Sequence, residues 1–383
     1  MRNRNMISIS SFDSVDEINP AEWETAVGGD YLLSCPYLGH IERTMQEGIR
    51  YHYFLVYEDS SPVAAAALFE MRLDLATLLG NGTGKKLIGG VRKIFRKAFT
   101  VKTLFIGSPP STGNFGIAVS DRCKNPEAVV ENLISAIRMI ARTRHINMVL
   151  YKEMGEAFHQ RYGQIFKDNG CCFGYDMPNN VLDIRWSSDA EYLDAMRSKS
   201  RYAVVRSHEK LAQEDVTFGV LTDIKHVYHD KEYSMYLDVL HKSDNIFETL
   251  TKTYFSEFSD VEGMAPCLVY IKKNDDIIGY FLTCDIAKDT VSALFAGIDY
   301  RYNHDCDTYF NLFHQVILYA MERGRRRIVF GQNTYEVKQR LGCTTEEMYI
   351  AFSYRNKLIQ ALLEGLSPYL LPKTEIRPRR TFK

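Results

Sequence analysis

The chain lacks the long apolar runs that membrane-spanning segments require. No stretch of its 383 residues approaches the roughly 18 consecutive apolar residues of a transmembrane helix. The opening residues, Met1-Arg-Asn-Arg-Asn-Met6, also lack the apolar core of a signal peptide. We therefore expect a cytoplasmic protein, with peripheral attachment to a membrane surface left open.

Closely spaced cysteine pairs are missing as well. The eight cysteines are scattered without a C-x-x-C pair, and the adjacent Cys171 and Cys172 cannot readily bridge each other. His226 and His229 have ligand-like spacing but no third ligand in a sensible register for zinc. These patterns predict reduced, mostly buried cysteines and no metal site.

One region lacks negative charge entirely. From Leu75 to Ser120 there is no acidic residue, although the whole chain carries a net charge of only −1. Within this region, apolar residues at helical spacing predict an amphipathic helix from Lys85 to Phe99 with a cationic face. Such a helix suits an anionic membrane surface, an acidic protein or an RNA backbone. The alternative is that this helix covers the sheet and keeps its charges in solvent. We do not expect DNA as a partner.

The chain contains one pattern twice, a β-hairpin followed by an amphipathic helix and a short apolar strand. The hairpins begin at Phe54-Leu-Val-Tyr57 and at Cys267-Leu-Val-Tyr270. Helices interleaved with antiparallel hairpins predict an α/β fold with a mixed (α+β) sheet in each half. We predict a first domain over 1–178 with a basic insertion near 79–102, a second over 179–365, and a basic tail over 366–383. The end of this tail, from Lys373 to Lys383, is expected to be disordered.

Three segments of the second half carry a resemblance to a known family. They are a basic helix from Arg197 to Leu211, a strand end from Leu294 to Tyr302, and an ending from Arg327 to Gly342 that reads strand, glycine, polar loop, lysine, glycine. Together they resemble the GNAT superfamily, specifically its tandem-domain branch of Fem-type and BioF2-like N-acyltransferases. The resemblance covers nearly the whole chain and implies two tandem GNAT-like domains.

The resemblance also implies an activity. It predicts transfer of an acyl group from a thioester, carried by CoA or by an acyl carrier protein, to a small-molecule amine by direct attack in a ternary complex. No cofactor would be bound permanently, because the acyl-CoA or phosphopantetheine thioester is a co-substrate. An acyl carrier protein or an anionic membrane would then contact the segment from Lys85 to Phe99. The alternatives are an aminoacyl-tRNA-dependent Fem-type transferase, with tRNA as partner, and a non-catalytic recognition module.

The second half departs from the GNAT pattern at the donor site. GNAT enzymes resemble one another in a glycine-rich loop whose backbone N–H groups hold the CoA pyrophosphate. At the matching place this chain has Tyr300-Arg-Tyr-Asn-His-Asp-Cys-Asp307, which contains no glycine and two acids. Either the second half binds its donor differently, or the loop from Gly107 to Gly116 in the first half supplies the cradle.

The candidate site residues follow from these positions. At the strand end, Asp299 and His304 are candidate bases, and Tyr300 and Tyr302 are candidate acids. The less specific interpretation is that acids here cap the following helix. After the last core strand, the candidates for substrate binding are Gln332, Asn333, Tyr335 and Lys338. The candidates for donor phosphates are Arg201, Arg206, Ser108, Ser111 and Gly113, although a solvated helix face would explain the two arginines equally well.

Overall fold

The computed structural model describes residues 6–74, 100–242 and 248–383. The predicted cationic helix from Lys85 to Phe99, and most of the insertion near 79–102, lie outside the described residues. The chain forms two compact units, each with its own sheet. The first unit contains the described residues up to Met177, Glu248 and the segment Glu347–Thr374, and the second contains the remainder.

The strands and helices alternate along both halves of the chain. The strands are β1 (Ile7–Phe12), β2 (Arg50–Glu58), β3 (Ser61–Asp74), β4 (Thr100–Ile106), β5 (Ile117–Val119), β6 (Met148–Gly155), β7 (Cys172–Tyr175), β8 (Asn179–Asp183), β9 (Val216–Leu221), β10 (Cys267–Lys273), β11 (Asp276–Ala287), β12 (Thr290–Ile298), β13 (Arg327–Gly331), β14 (Thr344–Glu346) and β15 (Met348–Tyr354). The α-helices are α1 (Pro20–Val27), α2 (Cys35–Thr44), α3 (Pro126–Thr143), α4 (Glu156–Asp168), α5 (Asp189–Ala195), α6 (Ser198–Ala212), α7 (Asp230–His241), α8 (Lys252–Ser256), α9 (Tyr300–Cys306), α10 (Thr308–Glu322), α11 (Tyr335–Arg340) and α12 (Lys357–Leu370).

The sheet of the first unit has the order β1-β2-β3-β4-β6-β15-β7, with β5 also paired to β3. The predicted hairpin is present, because β2 and β3 pair antiparallel with Phe54 opposite Ala66. Strands β4 and β6 are parallel and are connected through the amphipathic helix α3. The buried apolar face of α3 includes Val130, Leu133 and Ile137. This is the mixed α/β arrangement predicted from the repeated pattern.

The sheet of the second unit has the order β14-β8-β13-β12-β11-β10-β9. Its hairpin β10–β11 places Leu268 opposite Leu282. Strands β12 and β13 are parallel and are joined through α10, which buries Leu312, Phe313 and Val316. The order β9-β10-β11-β12-β13 thus repeats the order β1-β2-β3-β4-β6 of the first unit, as the two hairpins predicted.

One strand joins its sheet from a distant part of the sequence. Strand β15, which follows β14 directly, lies between β6 and β7 of the first sheet. Strand β8 follows the first unit in sequence but pairs with β13 and β14 of the second. The predicted domains, 1–178 and 179–365, assign the segment Glu347–Thr374 to the second domain. In the structure this segment belongs to the first unit, because its strand β15 pairs with β6.

The basic tail is ordered where a disordered end was predicted. Residues up to Leu370 belong to α12, and the last residues pack on the second unit. Phe382 bridges to Met196 and contacts the ring of Trp186 at a centroid distance of 4.7 Å. The hydroxyl of Thr381 donates to the carbonyl oxygen of Gln339 at 2.6 Å. The Phe382 ring and the buried Thr381 attach the tail to the second unit. The basic composition of the tail did not indicate this packing.

Within the described ranges, no helix combines the length and the apolar character needed to cross a bilayer.

Replacing Phe382 by alanine should destabilise the second unit by about 1–3 kcal/mol, since the ring fills space beside Trp186 and Gly342. Urea unfolding followed by tryptophan fluorescence measures the change. Tyr369→Ala, which removes an exposed ring, is the matched control and should cost less than about 0.5 kcal/mol. Equal effects of the two substitutions would contradict a packed tail.

Candidate active site

The parallel strands of the second unit diverge soon after they pair. β12 and β13 are in register only from Thr290 to Ser292, opposite Arg327 to Val329. Beyond these positions the two strands have no common ladder, so their backbone groups need other partners. Both strands end at the same edge of the sheet, which is where α/β folds place chemistry.

Lys338 lies on α11, and its ammonium contacts the end of β13. Its side chain is almost fully buried, with 2% of the residue exposed. The Nζ donates to the carbonyl oxygen of Gly331 at 3.0 Å and to that of Gln332 at 2.7 Å. Burial lowers the pKa of the Lys338 ammonium to about 7, against an ordinary 10.5. The group can therefore exist in either protonation state near neutral pH.

The loop after β13 is held in an unusual backbone conformation. Gly331, Asn333 and Thr334 all have positive φ, at 69°, 65° and 48°. For a β-branched residue such as Thr334 this conformation is costly, and such strain is concentrated at functional sites. The side-chain amide of Asn180 donates to the carbonyls of Gly331 and Asn333, at 2.7 and 3.3 Å, and so supports the loop.

The four residues predicted for substrate binding are all on this loop or on α11. Gln332 and Asn333 form the loop itself, and Gln332 supplies a carbonyl to Lys338. The Tyr335 hydroxyl donates to the carbonyl oxygen of Pro178 at 3.2 Å. Within this set, the backbone carbonyl of Gln332 contacts the Lys338 ammonium, and a binding role for the four residues stays a prediction.

The residues predicted to be catalytic lie at the end of β12, in different environments. Asp299 caps α9 and accepts hydrogen bonds from the Arg301 guanidinium at 2.6 to 3.2 Å. This pairing lowers the pKa of Asp299, which makes its carboxylate a weak base. His304 is exposed and bonds to the neighbouring Asp305. Tyr302 lies 5.4 Å from the Nζ of Lys273, measured to the ring centroid.

A pocket adjoins two of these residues. Asp299 and Tyr300 line a cavity of about 330 Å³ together with Lys231, Asp238 and Arg301. The Tyr300 ring also has the Nζ of Lys242 3.1 Å from its centroid, and burial raises the pKa of its hydroxyl. The pocket combines ionised groups of both signs, so it suits a polar ligand.

A second cavity, the cationic groove, lies beside α11. It has a volume of about 510 Å³ and is lined by Glu336 and Gln339 together with five cations. These five cations are Arg197, Lys199, Arg377, Arg379 and Arg380. None of the five has an ion-pair partner within the part of the chain that the structure describes. The groove therefore presents an uncompensated positive charge to an anionic ligand.

The two arginines predicted to bind donor phosphates do not line the groove. Arg201, on the same helix α6, pairs with Asp194 at 3.4 Å. Arg206 lies further along α6 and is exposed. The cations that do line the groove come from the start of α6 and from the tail. Their association requires the tail to fold back, since Arg197 donates its amide to the carbonyl of Thr381 at 2.9 Å.

The glycine-rich loop of the first unit is closed at its neck. Gly107 and Gly116 approach so closely that a Cβ at Gly116 would lie 2.2 Å from the Gly107 nitrogen. Within the loop, the amide of Ser111 donates to a carboxylate oxygen of Glu248 at 2.9 Å, and the amide of Gly113 donates to Glu153. The Ser108 hydroxyl faces the carbonyl of Pro110 at 3.4 Å. Carboxyl groups of the protein therefore accept the hydrogen bonds from loop amides that a bound phosphate would require.

The carboxylate cluster behind this loop consists of Glu153, Asp176 and Glu248 around Lys152. The Lys152 Nζ lies 3.5 Å from Glu153 and donates to the Ser111 hydroxyl at 3.2 Å. Glu153 has a positive φ of 60° at a bulge in β6, and its amide donates to Asp176 at 3.0 Å. Burial raises the pKa of all three carboxyls, that of Glu153 to about 7.

The second unit also contains a chain of buried polar side chains. His314 on α10 bonds through Nε2 to Asp189 at 2.9 Å and through Nδ1 to Nε2 of His208 at 2.8 Å. Since the carboxylate only accepts, Nε2 of His314 is the donor to Asp189. This chain joins α5, α6 and α10.

Sequence reasoning missed both clusters, for different reasons. Lys152 and Glu153 follow the apolar run of β6 just as Lys338 follows β13, so the same positional argument would have found them. The histidine chain gave no such indication, because its members lie 106 and 125 residues apart. Among residues 6–74, 100–242 and 248–383, no group of histidine, cysteine and acidic side chains is arranged to hold a metal ion.

The comparison with known proteins identifies the fold. No family model matches the chain, and no curated protein matches its sequence. Solved structures do match, among them L-PGS from Bacillus licheniformis, with a TM-score of 0.51 and 11% identity over 93% of this chain and 98% of that chain. A tandem GNAT protein from the clavulanic acid biosynthesis pathway matches with a TM-score of 0.51 and 11% identity, over 92% of this chain and 99% of that one.

A conserved protein of unknown function from Bacteroides thetaiotaomicron is similar to the same degree, with a TM-score of 0.51 and 11% identity over 91% and 99% of the two chains. The chain therefore has a mixed α/β fold of two tandem GNAT-like domains, in agreement with the expectation from the sequence. At this level of identity the similarity concerns the fold.

Replacing Glu153 by glutamine should change how stability depends on pH. The folded pKa of Glu153 is about 7 against 4.5, so the folded state keeps the proton over this interval and stability falls as the pH rises through about 7. Without this titration, the variant should gain stability relative to the wild type over the same interval, by about 3 kcal/mol at most. Urea unfolding across this pH range measures it.

Glu131→Gln, the same substitution on the exposed side of α3, is the matched control. If the Glu153 variant and the wild type followed parallel pH profiles, the carboxyl would not be held protonated by its surroundings.

Proposed function

We propose that the protein is an N-acyltransferase that moves an acyl group from a phosphate-bearing thioester to an amine, at the second unit. The observation that carries this proposal is the buried Lys338 ammonium at the end of β13, hydrogen-bonded only to backbone carbonyls among the described residues. We place the chain in the tandem-domain branch of Fem-type and BioF2-like transferases, because Lys338 occupies the lysine position of that ending.

The chemistry requires a proton to reach the leaving group. The neutral amine attacks the thioester carbonyl carbon, a C–N bond forms, and the C–S bond breaks to release a thiolate. Lys338 is suited to protonate this thiolate, since its pKa of about 7 lies below that of an ordinary thiol, about 8.5. The proton lost by the amine nitrogen restores the ammonium, directly or through solvent. Two of the three N–H donors of Lys338 fix its position, which leaves one for the substrate.

The cationic groove is the proposed site for the phosphates of the donor. It lies against α11, the helix that carries Lys338, and Glu336 and Gln339 of this helix line it. Charge-assisted hydrogen bonds from arginine to phosphate are among the strongest that proteins make. In the first unit, the carboxyl groups of Glu153 and Glu248 already accept the loop amides of Gly113 and Ser111, which favours the second unit as the donor site.

The pocket beside Asp299 and Tyr300 is the proposed site for the acceptor amine. Pairing with Arg301 keeps Asp299 ionised, so the carboxylate can attract an ammonium group but is poorly suited to deprotonate it. Tyr300 lines the same pocket with its hydroxyl protonated. In this proposal Asp299 and Tyr300 bind and orient the acceptor.

An aminoacyl-tRNA donor is the second candidate, because five uncompensated cations in one groove also suit a nucleic acid backbone. The two donors differ in a measurable way. Binding of tRNA would weaken steeply with added salt and would be lost after RNase treatment, whereas acyl-CoA turnover would survive RNase.

Lys338→Met should abolish most of the transfer while leaving the fold intact. Removing a general acid typically lowers the rate roughly 10²- to 10⁴-fold. The transfer rate is measured as the release of free thiol when the enzyme is incubated with panels of acyl-CoA or acyl carrier protein donors and pools of amines. In the wild type, kcat/KM should show an inflection near the Lys338 pKa of about 7, and the variant should lack this inflection.

Lys272→Met, which removes a lysine paired with Asp275 on the β10–β11 turn, is the matched control and should keep both rate and pH profile. A Lys338 variant with the wild-type pH profile would show that the lysine is structural. No thiol release from any thioester donor, together with no aminoacyl transfer, would leave a recognition module.

The groove predicts a separate effect on donor binding. Lys199→Gln and Arg379→Gln should each raise KM for acyl-CoA about tenfold with little change in kcat, because each removes a charge-assisted contact. Arg206→Gln, on the same helix but outside the groove, should leave KM unchanged. A higher KM for Arg206→Gln, with none for the groove variants, would instead favour the phosphate site predicted from the basic helix.

A further inference from the structure

Helix α12 of the first unit packs with its polar side inward. Gln360 is buried and donates to the carbonyl of Gly170 at 3.3 Å, while its side-chain oxygen accepts the amide of Tyr354 at 2.5 Å. Ser367 is buried on the same face two turns further along and donates to the carbonyl of Glu364 within the helix at 2.9 Å. The contacts of Gln360 with Gly170 and Tyr354 fix the rotation of the helix about its axis. The rotation is the reverse of that expected for an amphipathic helix on a protein core.

The opposite side of α12 is apolar and exposed. Leu358, Leu362, Leu366 and Tyr369 are 83%, 60%, 41% and 82% exposed. Their spacing of three and four residues places them in one line along the helix, here called the exposed stripe. Glu364 is the only acidic residue in the helix. A line of exposed apolar side chains of this length marks an interaction surface.

A cationic cavity, here called the α12 pocket, lies at the beginning of the same helix. It has a volume of about 120 Å³, and its lining includes Arg138, Arg142, Arg355 and Lys357 but no acidic residue. None of these four cations is in an ion pair with any residue that the structure describes. Arg138 has a neutral partner, Asn169, at 3.2 Å. The pocket therefore combines uncompensated charge with room for a small anionic group.

We propose that the exposed stripe and the α12 pocket together form a docking surface for a bilayer containing anionic phospholipid. The apolar side chains would enter the acyl boundary, with Tyr369 at the interfacial level, and the four cations would contact headgroup phosphates. Charge complementarity decides between occupants, because four cations without counter-charge accompany the stripe. This proposal does not depend on the proposed transfer activity, since all its residues belong to the first unit.

Vesicle flotation of the full-length protein tests the proposal. Vesicles of phosphatidylcholine alone are compared with vesicles of equal parts phosphatidylcholine and phosphatidylglycerol, and binding is expected only to the second. Arg142→Gln and Lys357→Gln should each weaken binding about fivefold. The double variant Leu358→Glu with Leu362→Glu should bind below detection. All four positions are exposed, so folding should be unaffected, which circular dichroism verifies.

Tyr202→Glu is the matched control, because it places the same charge at an exposed apolar residue of the second unit. It should bind anionic vesicles as the wild type does. Vesicle binding that persists in the Leu358 and Leu362 variant would assign the interaction to another part of the chain and overturn the proposal. The proposal would also be overturned if the wild type bound neither kind of vesicle and light scattering showed it to be a dimer that becomes a monomer in this variant.

Discussion

In each unit, two parallel strands stay paired for only three or four residues, and the candidate chemistry depends on how the freed backbone groups are satisfied. Beyond the pairing in the second unit, Lys338 and Asn180 donate to the carbonyls that follow β13. In the first unit, Glu153 leaves regular strand geometry and Asp176 accepts its amide. Because buried backbone groups must be paired, the divergence itself draws polar side chains into an apolar interior.

Lys152 lies on β6 and Lys338 on α11 after β13, and the surroundings of these two buried lysines differ. Lys152 has three carboxyls nearby, which compensate its charge and raise one another's pKa values. The Lys338 ammonium contacts backbone carbonyls and has no ion-pair partner among the described residues, so burial lowers its pKa. The cations that could balance an anionic donor gather in the groove beside α11. The charge of Lys152 is therefore compensated by a carboxyl group, whereas Lys338 contacts backbone carbonyls and has a lowered pKa.

Local patterns in the sequence predicted much of this arrangement. Alternating and continuous apolar runs located both hairpins, and the position of Lys338 after an apolar strand pointed to the candidate site. The role of Asp299 was harder to predict, because its pairing with Arg301 depends on side-chain conformations within one turn. The tail was misjudged from its basic composition, although Phe382 gave an apolar anchor that could have been noticed.

Sequence alone determined the mixed α/β class, the duplication and the place of the lysine after β13, because periodicity and order along the chain encode secondary structure and burial. Only the tertiary structure decided that β15 completes the first sheet and that residues more than a hundred positions apart form the chain of His208, His314 and Asp189. It also decided that the buried Lys152 lies beside a carboxyl group, whereas the buried Lys338 contacts backbone carbonyls. Strand pairing and electrostatic surroundings arise from contacts distant in sequence, which no local pattern specifies.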